Sequence, residues 1–441
     1  MLQEKYKSGV KIRERVSRKD HANWQIPPGR PSVEEMISQS IADLVPELIP
    51  IRHSRMSASP FVFYRGTASI MARDLSYTPS SGVIVQACGD CHLMNFGGFV
   101  TPEGNIVLDI NDFDETTPGA WEWDLKRLAT SFALAARENE LYQNDADDIV
   151  FELVSAYRDK LLEYTSMNLL EFWHFEFNFE NIIRDSVSDK TKERLKKFLA
   201  HSDKIVNDGV LFKTGKNSAG DHSIKDQPPL ITHPTDMDES LKLMGNFLDQ
   251  YKKTLLPDSR ILLDQYKLED VAYKVVGVGS VGTRCYVVLF INENAEPLFI
   301  QVKEARPSVL VPYTAKNIYE HQGERVVQGQ RLIQSASDIF LGWATDATGR
   351  HFYLRQLKDR KITVNIKSME KKMLSIYAKY CGWILAKAHC KTGQGSLIYG
   401  YIGKNEIFPK AIMRFSKAYA DQTEKDYNKF MNAIRSGKLQ S

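Results

Sequence analysis

The chain has 441 residues, 43% hydrophobic and 26% charged, which is enough apolar material for a large core and long enough that two lobes are expected. Its 58 basic and 55 acidic residues nearly cancel to a net charge of +3, which argues against a charge-driven nucleic-acid binder. No apolar run approaches the roughly twenty residues of a membrane span, and five cysteines behind a start with no apolar leader point to a reducing, cytoplasmic setting.

The basic start, KYKSGVKIRERVSRKDH, reads as a solvated, partly disordered arm, and Ser32 to Arg52 as an entry helix; together they form a first unit, 1–52. Residues 53–255 are expected to form a large lobe. Its most informative stretch is QACGDCHLMNFGG followed by NIVLDINDFDETTPGAWEWDLKRL. Asp90, Asn95 and Asp112 there have the spacing of a magnesium-dependent phosphoryl-transfer site. A carboxylate at Asp90 would orient an acceptor hydroxyl, and the oxygens of Asn95 and Asp112 would hold Mg2+. Asp109 and Asp114 flank Asp112 and compete for the metal role, but the spacing to Gly119 and Asp124 favours Asp112. On its own Asp124 reads as an N-cap before Leu125, Leu128, Ala129 and Phe132.

These residues resemble a known family. Gly89-Asp90-Cys91-His92-Leu93-Met94-Asn95 is similar to the G-D-x-H-x-x-N loop of aminoglycoside and choline phosphotransferases. Asp112-Phe113-Asp114-Glu115, Gly119 and Trp123-Asp124-Leu125 resemble the acid, glycine and W/Y-D-L sequence downstream of that loop in those enzymes. The resemblance implies a protein-kinase-like fold using ATP and Mg2+, with Asp124 supporting the loop. His92 stands where many protein kinases carry lysine, which favours a small-molecule acceptor over a protein. Arg65 is read as a structural ion-pair partner or a phosphate contact, and His92 as a support for the loop. Cys88 to His92 also spells C-x-x-C-H, a haem-attachment pattern, set aside because the start carries no export signal.

Asn144 to Ala200 reads as mostly helical. Phe172, Trp173, Phe175, Phe177 and Phe179 within it suit a core better than a substrate pocket. Lys213 to Thr235 is polar, rich in glycine and proline, and reads as a long loop or flap. Residues 256–360 are expected to form a small β-rich nucleotide lobe. Gly277, Gly279 and Gly282 make G-x-G-x-x-G, with Ser280 between, and the β-branched run from Thr283 to Ile291 predicts a strand afterwards rather than the helix of a dinucleotide fold. Strand, glycine turn, strand is the kinase arrangement, and Lys303 on the returning strand is the phosphate-facing lysine. Its acidic partner is expected at Glu324, with Glu320 second, since Glu304 faces away. FLGWATDATGRHFYLRQLKD reads as two strands. The last unit, 361–441, supplies helices that complete the large lobe, beginning with SMEKKMLSIYAKYCGWILAKAHCKTG.

The catalytic loop comes roughly two hundred residues before the lysine strand, the reverse of ordinary kinases. The expected fold class is therefore α+β, two-lobed, protein-kinase-like and circularly permuted. Across nearly its whole length, in segments such as FYRGTASIMARDL, NDFDET, KVVGVGSVGTRCYV, RVVQGQRL and AYADQTEKDY, the chain also resembles DUF2252, a bacterial family known only as a domain of unknown function. The expected activity is ATP-dependent phosphoryl transfer to a hydroxyl. A nucleotidyl transferase and a non-catalytic ATP-binding module are the alternatives. The sequence does not determine the oligomeric state.

Overall fold

Alternation along one strand sends Leu298, Ile300 and Val302 to one face and Gln301 and Lys303 to the other, and the sheet is organised around that split. In the computed structural model of the chain, this strand, Pro297–Glu304, lies between Cys285–Asn292 and His351–Gln356 in a six-stranded antiparallel sheet. Gly342–Thr345 forms one edge; Tyr266–Lys274 and then Ile231–Thr232 form the other. The apolar face packs Val288, Ile300, Val302 and Leu354 against Phe247 and Tyr251 of helix Met237–Lys252. The structure describes residues 2–178, 192–193, 214–216, 222–314, 318–357, 361–362, 364–367 and 369–440.

Two further strand pairs carry the loops of chemical interest. Ile84–Ala87 pairs with Thr117–Ala120, and Phe96–Val100 pairs with Ile106–Ile110. The registers Ala87 with Thr117 and Phe96 with Ile110 set the loops 88–95 and 111–116 side by side, and the Asn111 amide donates to the Asn95 carbonyl at 2.8 Å. Helix Trp121–Glu138 comes next in the chain and is buried from Trp121 to Ala136, because helices Gln143–Ser166, Lys371–Lys391 and Ile407–Arg435 surround it. The architecture is mixed α+β, with one lobe built on the large sheet. Among the described residues no helix is long and apolar enough to cross a membrane.

Three expectations are corrected. The basic start is a helix, Leu2–Arg15, docked on helix Gly395–Ile402: Arg13 Nε donates to the Tyr401 carbonyl at 2.9 Å and Arg18 to that of Ile402 at 2.7 Å. Its cations meet the carbonyls left open where the partner helix ends, so charge is the means of docking. The entry helix is two helices, Val33–Ile41, opened by a reciprocal Ser32–Glu35 capping box, and Ile49–Met56; Pro46 lies in the break. In the flap segment, Ile231–Thr232 joins the edge of the main sheet, while Thr214–Lys216 and His222–Ile224 pair with each other; Lys213 and residues 217–221 lie outside the described residues. Phe172 and Phe177 are buried core, beside Tyr164 and Trp383 respectively, and Phe179 lies outside the described residues.

Gly382 lets helix Lys371–Lys391 approach helix Gln143–Ser166, since a Cβ there would sit 2.6 Å from the Leu153 carbonyl oxygen. Gly382→Val is expected to destabilise the protein by about 1–3 kcal/mol through overpacking, read as a lowered midpoint in thermal or urea unfolding.

Candidate functional site

The loop 88–95 is held from beneath. The Asp124 carboxylate accepts the amides of Cys88 at 2.7 Å and Gly89 at 3.0 Å. His389 lies 3.3 Å from the same carboxylate and bonds Tyr157 through its other ring nitrogen at 2.7 Å. Tyr377 donates to the carbonyls of Leu93 at 2.8 Å and Phe96 at 2.9 Å. Asp124 therefore supports the loop; the helix N-cap is Ala120. Gly89 has φ +86°, and a Cβ would run into the Glu115 carbonyl, so both conformation and space call for glycine.

Asp90 pairs with Arg127, Nε to Oδ1 at 2.5 Å, and Arg127 also donates to the Tyr64 carbonyl at 3.0 Å. Burial alone would raise the Asp90 pKa, but the Arg127 guanidinium, by charge and hydrogen bond, and Arg65 nearby outweigh it and hold the carboxylate ionised. His92 Nε2 is 3.8 Å from Asp90 Oδ2; burial, with Arg65 and Arg127 nearby, pushes its pKa down to about 3, so the ring is neutral. Asn95 donates its side-chain N–H to the Asp90 carbonyl at 2.7 Å, which commits the nitrogen and leaves the amide oxygen as its remaining donor to a cation.

From the neighbouring loop, Asp114 accepts from Lys303 Nζ, from Tyr353 at 2.7 Å and from Ser280 at 3.0 Å. Against the raising effect of burial, Lys303 and Tyr353 hold its pKa down at about 2. Asp112 shifts the other way, raised by burial and by Asp114, while Lys303 and Arg355 oppose. Two adjacent carboxylates facing one lysine cannot both be fully satisfied, and a cation would relieve Asp112. The expected partner of Lys303, Glu324, is replaced by Asp114. Glu324 stands in the first turn of helix Gln322–Ile333 and does not line the cavity, because the inward position is held by Arg325, which donates to the carbonyls of Thr116, Asp114 and Arg306.

These groups surround a cavity of about 470 Å³. Asp90, His92, Asn95 and Asp112 line one side, with Arg65; Gly277, Gly279, Ser280 and Lys303 line the other. Gly282 does not: at φ +99° its carbonyl accepts the Val45 amide at 2.8 Å, and it packs on Leu44. Arg65 forms no ion pair among the described residues, and its Nε is buried without a hydrogen-bond partner. The glycine turn is pinned by Arg52, which donates to the carbonyls of Gly279 at 2.8 Å and Gly66 at 2.8 Å. Sequence reasoning missed Arg127, Arg52, Tyr353 and Arg355. Only Arg127 left a signal, standing three positions after Asp124 on the same helical face.

A family profile described as an uncharacterized protein conserved in bacteria (DUF2252) matches residues 44–433. The chain is a DUF2252 protein. No curated protein and no solved structure matches it significantly. The DUF2252 match spans both motif segments and the helices that support them, and starts after helix Val33–Ile41.

Glu115 offers a pH test of the site in this DUF2252 protein. Its carboxylate accepts the Val309 amide at 2.7 Å, and burial, reinforced by Asp114 and Asp90 and opposed by Arg325, pushes its pKa from 4.5 up to about 7. The native state then holds more protons than the unfolded chain between those values, so this group's contribution falls as pH rises through that window. Glu115→Gln removes the titration and keeps an acceptor for Val309. The drop in Tm between about pH 5 and about pH 7.5 is expected to be smaller in the variant by a few degrees.

Proposed function

We propose that this protein is an ATP-dependent phosphotransferase acting on a hydroxyl, with a kinase-like, circularly permuted arrangement of its parts. The observation that carries the reading is the meeting of both motif segments on one cavity: Asp114 and Lys303, bonded across it, are 189 positions apart in the chain. Asn95 and Asp112 offer oxygen donors alone, one neutral and one acidic, a set that fits a hard dication such as Mg2+. Bound there, the ion would screen phosphate charge during transfer.

The chain's own groups divide the remaining work. The backbone of Gly277–Ser280 can approach phosphates closely, with no side chain at either glycine to intervene. Lys303, buried and kept protonated by Asp112 and Asp114 against the cost of burial, presents a fixed positive charge to them. Asp90, ionised and oriented by Arg127, accepts the proton of the attacking hydroxyl. The acceptor oxygen forms its bond to the terminal phosphorus as the bond to the bridging oxygen breaks, and ADP leaves.

The test is thermal unfolding with ATP, with and without Mg2+, beside Asp112→Ala and Asp90→Asn. Nucleotide at about a hundredfold over its Kd should stabilise the wild type by about 2.7 kcal/mol, and Asp112→Ala should lose the magnesium-dependent part. Asp90→Asn should keep binding while ADP formation falls about 10²–10⁴-fold. Pyrophosphate release would mean nucleotidyl transfer instead, and ATP binding with no reaction sensitive to Asp90→Asn would leave a binding module.

A further inference from the structure

A second cavity of about 180 Å³ lies against the first and shares Arg65, Asp90, Asp114, Glu115, Gly279 and Ser280 with it. Its outer walls come from the amino-terminal region, through Ser40 of helix Val33–Ile41, Leu44 in the bend after it and Ser69, and from Thr283 and Arg306. The glycine turn forms the partition, since a Cβ on Gly279 would lie 3.4 Å from the Arg65 carbonyl and 3.8 Å from Asp90 Oδ2. Asp90 thus faces both spaces.

The charges in this second space are unevenly used. Asp90 is paired with Arg127, Asp114 with Lys303, and Glu304 with Arg284 at 3.2 Å. Among the arginines, Arg52 is spent on backbone carbonyls. Among the described residues the Arg306 side chain meets only Asp43, at 3.2 Å, a carboxylate whose side chain is 82% exposed, and such a surface pair is weak. Arg65 has no ion pair among those residues and a buried, unpartnered Nε. Three of the four acids are ion-paired and the fourth, Glu115, accepts the Val309 amide, while two guanidinium groups with donors to spare remain, the chemistry that takes an oxyanion through paired N–H bonds.

We infer that the second cavity is the acceptor chamber, and that it takes a small hydroxylated compound carrying a phosphate group, held by Arg306 and Arg65 with a hydroxyl at Asp90. This rests on the phosphotransferase reading and adds the acceptor's chemical class. A space below the roughly 300 Å³ at which drug-sized pockets begin suits one compact molecule.

The experiment fills the first cavity with Mg2+ and a non-hydrolysable ATP analogue, then compares ribose 5-phosphate with ribose, and glycerol 3-phosphate with glycerol, by calorimetry and thermal shift. The phosphorylated member of at least one pair is expected to bind at least tenfold more tightly. Arg306→Gln should erase that preference while analogue binding is unchanged. Ser69→Phe, which narrows the chamber from its wall, should weaken the phosphorylated probe without touching the analogue. Arg65 lines both cavities, so its variants would not separate the two sites. Equal affinity within both pairs, or a preference that survives both Arg306→Gln and Ser69→Phe, would overturn the chamber assignment while leaving the nucleotide site standing. Failure of the analogue to bind at all would remove the phosphotransferase reading, and the acceptor assignment with it.

Discussion

The ion pair between Lys303 and Asp114 joins the two halves of this molecule, and the rest of the site is arranged about it. Lys303 belongs to the large sheet and Asp114 to a loop of the helical half; without the bond, the buried lysine, only 5% exposed, would lose its bonded counter-charge. Burying either charge alone is costly, and removing one partner of such a pair typically costs about 3–5 kcal/mol. Tyr353 and Ser280 donate to the same carboxylate, so a single acceptor ties a sheet strand, the lysine strand and the glycine turn to one loop. The cavity keeps its shape because these elements cannot shift independently.

A second layer of constraint keeps Asp90 in place. Helix Trp121–Glu138 contributes Asp124, which takes two amides of the loop, and one turn further Arg127, which takes the Asp90 side chain. One buried helix therefore fixes both the backbone and the carboxylate of the proposed catalytic residue. Helix Lys371–Lys391 adds Tyr377 and His389 beneath the same loop. The loops themselves are short, and their alignment comes from the registers of two small strand pairs.

The amino-terminal helices have a similar part on the other side. Arg52 and Arg55 donate to the carbonyls of Gly279 and Val276, so the turn that would cover a nucleotide is held by residues more than two hundred positions away. The acidic partner of Lys303 illustrates the same point. Glu324 has the spacing expected of it, but helix Gln322–Ile333 turns Arg325 inward, and the lysine finds Asp114 instead.

Local chemistry made part of this legible in advance. Period-two alternation and β-branched residues marked the strands on both sides of the glycine turn, helical periodicity marked Lys371–Lys391, and the order of Asp90, Asn95 and Asp112 marked two loops, because each signal depends on neighbours within a few residues. The match to DUF2252 likewise lay in contiguous segments. Pairings between distant segments were not encoded locally. Arg127 with Asp90, Arg52 with the glycine turn, Asp114 with Lys303 and the docking of Leu2–Arg15 each join residues from different elements. In such cases a surface arginine and a buried one look the same in sequence, and only the folded chain settles which carboxylate or carbonyl comes within reach.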